Sequence, residues 1–211
     1  MKALAIIPAY THIDHRLMQA LLEAGVPFLP LHGSSDLPRA RSILISLALA
    51  RKPERVLFLD SDIVPTPAQL RELATSELVT AHQALTGLYA IRDTRATPGG
   101  GASWAVDALD PQAAAAGAEL IPCRWAGLGF AAVSLASLER VAASLPEIAG
   151  DEVPWRPFCV PFFDGAAGAY YPDDRSFWWR LAGAGTRLLA SQRLRVGHVA
   201  QVVLRDVGDA A

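Results

Sequence analysis

Continuous apolar runs alternate with amphipathic stretches through the first half of the chain. Ala3 to Ile7 is uninterrupted apolar sequence, the pattern of a strand buried on both faces. Asp14 is placed to cap a helix that carries Leu17, Met18, Leu21 and Leu22 on one face, and Gly25 is placed to end it. Val26 to Leu31 reads as a second strand, and Pro38 opens a helix through Ala50. Val56 to Leu59 is a third strand, followed at once by Asp60-Ser61-Asp62. Thr66-Pro67 has cap and first-turn chemistry for another helix, with Leu70 and Leu73 inward, and a strand is expected over Leu85 to Ile91. This alternation predicts an α/β fold with a mostly parallel central sheet flanked by helices.

The pattern changes after Arg92. Asp93 to Gly101 contains Pro98-Gly99-Gly100-Gly101 and reads as a mobile loop. Short strands are expected near Ser103 to Val106, Leu120 to Trp125 and Gly129 to Val133. A helix follows with Leu135, Leu138, Val141 and Leu145 inward. Gly150 to Tyr171 is rich in proline, glycine and aromatic residues and reads as loop, Asp173 to Ala184 as helix, and Arg187 to Val196 as one or two last strands. With 211 residues, no repeat and no long linker, a single domain over 1–211 is expected.

Composition removes several function classes. Hydrophobic residues make up 52% and charged residues 19%, which excludes a disordered chain. The longest apolar stretches, such as Ile43 to Ala50, fall short of the ~18 residues that a bilayer span requires, so no transmembrane segment is expected. Lys plus Arg is 19 against 21 Asp plus Glu, so the basic excess of a general nucleic-acid binder is missing. Cys123 and Cys159 form no CxxC pair, which argues against a zinc ribbon and for two reduced thiols in a cytoplasmic protein. Pro8 breaks the first apolar run too early for the core of a signal peptide.

The candidate chemistry lies at Asp60-Ser61-Asp62. Ligands of parallel sheets bind outside the carboxyl ends of the strands. Two carboxylates at that edge can hold a hard divalent cation that also grips a diphosphate, or can simply shape a turn. Haloacid-dehalogenase phosphatases also place D-x-D after a strand. They need a later lysine, or rarely an arginine, and no lysine follows Lys52 here.

A longer series of segments resembles the GT-A glycosyltransferases, particularly the small family-2-like enzymes of bacteria and phages. Ile6-Ile7-Pro8-Ala9-Tyr10 resembles the first strand and its pyrimidine-contacting end. Pro38-Arg39-Ala40-Arg41-Ser42 resembles a segment ending in A-R-N, with serine in place of asparagine. Leu57 to Pro65 resembles the D-x-D strand, Thr86-Gly87-Leu88-Tyr89 the next strand, and Gly127-Leu128-Gly129-Phe130 the acceptor-side turn. Pro172 to Phe177 resembles the E-D-x-x-F helix start, with aspartate for glutamate, and Val196-Gly197-His198 the terminal G-H.

The resemblance implies a GT-A fold and transfer of a hexosyl group from a nucleotide diphosphate sugar to an acceptor hydroxyl with inversion. Residues 1–92 would hold the nucleotide and 102–211 the acceptor. Asp174 would be the general base, with Asp173 orienting it or binding the acceptor. Asp60, Asp62 and His198 would bind Mn²⁺ or Mg²⁺. Pro8, Ala9, Tyr10, Arg41 and Ser61 would join Asp60 and Asp62 around the donor, with Arg41 on the diphosphate. Gly127, Gly129, Trp125 and Trp155 would face an acceptor that is a saccharide, a lipid or a protein. A nucleotide-sugar-binding protein without turnover is the alternative from another class. A sugar-nucleotidyltransferase is disfavoured because no G-G-x-G-T-R-x-x-P-like loop follows the first strand.

Overall fold

The computed structural model describes residues 2–90, 105–150 and 153–199. The expected loop at Asp93 to Gly101, and the start of the strand expected from Ser103, lie outside them. In chain order, the first half comprises β1 (Ala3–Ala9), α1 (His15–Ala24), β2 (Phe28–His32), α2 (Leu37–Arg51), β3 (Arg55–Leu59), β4 (Ile63–Val64), α3 (Pro67–Thr75) and β5 (Gln83–Leu88). The second half comprises β6 (Val106–Ala108), α4 (Pro111–Ala115), β7 (Leu120–Ala126), β8 (Phe130–Ser134), α5 (Leu135–Ala142), β9 (Phe162–Asp164), β10 (Ala169–Tyr171), α6 (Asp173–Gly183), β11 (Arg187–Arg195) and β12 (Gly197–His198).

Eight strands form one sheet in the order β2-β1-β3-β8-β5-β11-β7-β6. It is mostly parallel: β8 opposes β3 and β5, β7 opposes β11 and β6, and the others share one direction. β7 and β8 therefore run the same way. The jog at Gly127 to Gly129 carries the chain from outside β11 to inside β5, across the end of β5.

Helices cover both faces. Leu4 and Ile6 of β1 point to the side packed by Leu44 and Ile45 of α2, Leu138 of α5 and Phe177 of α6. Ala3, Ala5 and Ile7 point to the other side, onto Leu17 and Leu21 of α1 and Leu70 and Leu73 of α3. The period-2 alternation of a strand produces this division.

Caps set the helix boundaries. Asp14 accepts from the Arg16 N–H, and Gly25 closes α1 at φ 69°, a conformation that costs glycine little. Thr66 and Gln69 form a capping box at α3. The sequence reading missed α4 and the β9–β10 hairpin. α4 is a five-residue helix after an Asp110 cap, and the hairpin pairs Phe162–Asp164 with Ala169–Tyr171 inside the segment read as loop.

Candidate functional site

The carboxyl ends of β1, β3 and β5 open at one edge of the sheet, where a cleft of ≈ 620 Å³ lies. Pro8, Ala9 and Tyr10 line it after β1, and Asp60, Ser61 and Asp62 line it after β3. The second half of the chain contributes Trp125, Gly127, Asp174 and His198. Ser34, Ser35, Leu37 and Tyr89 also line it and were not singled out as site residues by the sequence. Trp155 is not among the lining residues; its backbone pairs with Ile148 in an isolated bridge.

Arg41 lies under the cleft rather than in it. It sits on the apolar stripe of α2 with Leu44, Ile45 and Ala48, and only 3% of it is exposed. Its Nη2 donates to Asp60 Oδ1 at 2.6 Å. Its Nη1 donates to Asp173 Oδ2 and Asp174 Oδ1, both at 2.5 Å. Burial works against its charge, but Asp60, Asp174 and Asp173 outweigh burial and hold its pKa well above the usual value. The expected diphosphate contact of Arg41 is thus taken up by three carboxylates. Neighbouring Ser42, at the asparagine position of the resemblance, is also engaged below the cleft: it donates to the Pro38 carbonyl and accepts from the Cys159 N–H.

Asp173 and Asp174 stand in the first turn of α6 without capping it. The cap is Pro172, and no side chain bonds the helix end. Their acidic side chains suit the positive end of the helix, but both are turned onto Arg41. Asp174 Oδ2 also accepts from the Leu128 N–H at 3.3 Å. Burial raises the Asp174 pKa, Asp173 and Asp60 raise it further, and Arg41 and the Leu128 N–H pull it back, leaving it at about 6.

His198 reaches the site through the β4–β12 pairing, in which it lies opposite Ile63, next to Asp62. Its Nε2 is 3.4 Å from Asp62 Oδ1, and its Nδ1 is 2.9 Å from the Ala90 carbonyl oxygen. A carbonyl only accepts, so Nδ1 must carry a proton. In the neutral ring Nε2 then presents a lone pair to a carboxylate. Two acceptors facing each other require a cation or a proton between them. Asp60, the third expected metal ligand, is turned aside: Oδ1 meets Arg41, and Oδ2 lies where a Cβ on Gly129 would be 2.8 Å away. Among the described residues no group of three ligating side chains is assembled.

The glycines of the jog have steric reasons. A Cβ on Gly127 would stand 1.9 Å from the Tyr89 hydroxyl. The Gly129 N–H donates to that hydroxyl at 2.9 Å. Burial pushes the Tyr89 phenol far above its ordinary pKa, and its ring meets His198 edge-on at 5.5 Å. Tyr89 thus joins the jog to the His198 side of the cleft. Gly127 lines the cleft, while Gly129 shapes it from behind.

No family model matches the sequence, and no curated protein matches it. Solved structures do. The chain is similar to the crystal structure of A197 from STIV, with a TM-score of 0.61 and 19% identity, over 95% of this chain and 87% of that one. It is also similar to GalNAc-T7 solved with UDP, GalNAc and Mn²⁺, with a TM-score of 0.54 and 13% identity. That match covers 96% of this chain and 44% of the larger protein. At these identities the likeness concerns the fold, and the fold is GT-A, shared with glycosyltransferases.

Proposed function

We propose that the protein is a metal-assisted, inverting glycosyltransferase of family-2-like type, moving a hexosyl group from a nucleotide diphosphate sugar to an acceptor hydroxyl. The observation that carries this reading is the convergence of Asp62, His198 and Asp174 on one cleft at the ligand edge of a GT-A sheet. The electrostatics favour the same conclusion. Asp60, Asp173 and Asp174 meet around one guanidinium, and Asp62 adds a fourth carboxylate beside His198, so an anionic diphosphate needs a cation to enter. Asp62 and His198, with facing lone pairs, would be the residues that hold Mn²⁺ or Mg²⁺. Such an ion would neutralise charge on the leaving diphosphate.

The protein's own groups supply the rest. Pro8, Ala9 and Tyr10 flank the nucleotide, and Asp60 and Ser61 border the donor's ribose and sugar. Asp174 takes the acceptor proton as the hydroxyl attacks the anomeric carbon. Arg41 fixes the Asp174 carboxylate and ties it to Asp60. In this reading the first half holds the nucleotide, while Trp125 and Gly127 face the acceptor. The acceptor is a saccharide, lipid or protein, and no nucleic-acid partner is proposed. No helix among the described residues is long and apolar enough to cross a membrane, and we take the enzyme to act in the cytoplasm.

Thermal-shift titrations with nucleoside diphosphates, with and without Mn²⁺, test this reading. Stabilisation that needs both nucleotide and Mn²⁺, and that Asp62→Ala abolishes, is the expected result. Nucleotide binding that is indifferent to Mn²⁺ and to Asp62 overturns the metal role. Binding without donor hydrolysis or transfer by the wild-type protein points to a nucleotide-sugar-binding protein instead.

A further inference from the structure

A second cavity, of ≈ 730 Å³, lies beyond the acceptor side of the cleft. Its volume falls in the range of about 300–1,000 Å³ typical of ligand sites. The two spaces share Trp125, and consecutive residues divide between them: Asp174 lines the cleft and Arg175 lines the groove. A ligand in the groove can therefore extend past Trp125 to the proposed base.

The groove presents rigid aromatic surface. Tyr170 is 61% exposed and Trp179 is 50% exposed. Tyr171 stacks on Phe162 at 4.9 Å and 8°, and Trp179 meets the same ring at 4.9 Å, which holds the platform in place before any ligand arrives. Aromatic faces of this kind suit the apolar C–H faces of sugar rings at low entropic cost.

The groove also carries unbalanced positive charge. Arg124 is paired with Asp107 at 3.3 Å. Among the described residues Arg175 and Arg187 have no carboxylate partner, and both line the groove. The Arg175 guanidinium lies over the Trp125 ring at 4.3 Å, and among the described residues its N–H donors have no hydrogen-bond acceptor. Polar side chains spread along the wall, among them Gln83, Asp107 and Thr186, suit a hydroxylated chain better than a hydrocarbon tail.

We propose that this groove binds an acidic saccharide, with sugar rings on Tyr170 and Trp179 and carboxylate or phosphate groups on Arg175 and Arg187. That this saccharide is the acceptor rests on the transferase reading; the groove as a saccharide site does not.

The test uses the full chain on a panel of immobilised glycans, neutral and bearing uronic acid, sialic acid or phosphate. Phosphatidylglycerol vesicles form a separate arm. Binding confined to acidic glycans is expected. Arg175→Ala/Arg187→Ala should weaken it at least tenfold and Trp179→Ala at least fivefold, while melting temperature and nucleotide affinity stay at the wild-type level. Equal binding of neutral glycans, acidic binding that survives the double substitution, or no glycan binding overturns the proposal. Binding to vesicles without glycan binding overturns it in favour of a lipid. Glycan binding without nucleotide binding leaves the groove standing and removes the transferase reading. The reverse result removes only the groove.

Discussion

Replacing Arg41 with methionine removes the cation that Asp60, Asp173 and Asp174 share and keeps a side chain of similar length. Removing one partner of a buried ion pair costs about 3–5 kcal/mol, because the remaining charge is stranded. The Arg41 side chain is 4% exposed, but the three carboxylates keep 24–28% of their surface open, so water relieves part of the cost. The lower end, about 3 kcal/mol, is therefore expected. At about 2–4 °C per kcal/mol for a chain of this size, the melting temperature should fall by about 6–12 °C at neutral pH.

The pH dependence separates charge from packing. Without Arg41 the carboxylates bind protons more readily in the folded state, so the deficit should be largest where they are ionised and shrink as pH falls. Asp174 already shows the direction. Its folded pKa is raised to about 6, so its contribution to stability is greatest below its ordinary value of 3.8 and declines as pH rises through about 6. Thermal melts of wild type and Arg41→Met from pH 5 to pH 9 measure this. A melting temperature within 2 °C of wild type refutes the reasoning, and so does a deficit that is the same at every pH.

Further outcomes follow from the site. With Asp174 as base, turnover should fall as pH drops through about 6 and the carboxylate takes up a proton. Asp174→Asn should cut turnover by about 10²–10⁴-fold and remove that acid limb while nucleotide affinity persists; a variant with near-normal transfer excludes Asp174 and makes Asp173 the next candidate. Gly127→Ala drives a Cβ into the buried Tyr89 hydroxyl and should cost about 1–3 kcal/mol by urea denaturation. Gly165→Ala, which meets nothing within 4 Å, is the control, and equal behaviour of the two would show that the Tyr89 contact relaxes freely.

The elements legible in the sequence were those set by local chemistry. The Asp14, Gly25 and Thr66 caps fall where their side chains and φ preferences place them. Strand direction was harder to read. Phe130–Ser134 is buried throughout, and such a run looks the same whichever way it points. It lies antiparallel between β3 and β5 after the jog beside Tyr89, a close approach that the absence of two Cβ atoms permits. That Trp155 does not line the cleft has a related reason. An aromatic side chain beside a loop proline says nothing about which surface it meets, and the Ile148 bridge that fixes it joins two loop positions.

Arg41 is the most instructive case, because the signal was present. It precedes Leu44, Ile45 and Ala48 by three, four and seven residues, so helical periodicity alone places it on the apolar stripe of α2. An arginine there must be buried, and a buried arginine needs carboxylates. An exposed phosphate-binding arginine would instead sit on the polar face or at the helix end. The stripe thus argued for a partner inside the protein, and Asp60, Asp173 and Asp174 meet that demand from two distant segments. The same contact couples the D-x-D end of β3 to the first turn of α6. A charge change at Asp60 is therefore felt at Asp174 through one guanidinium, and under the proposed function this would link donor binding to base strength before any ligand spans the cleft.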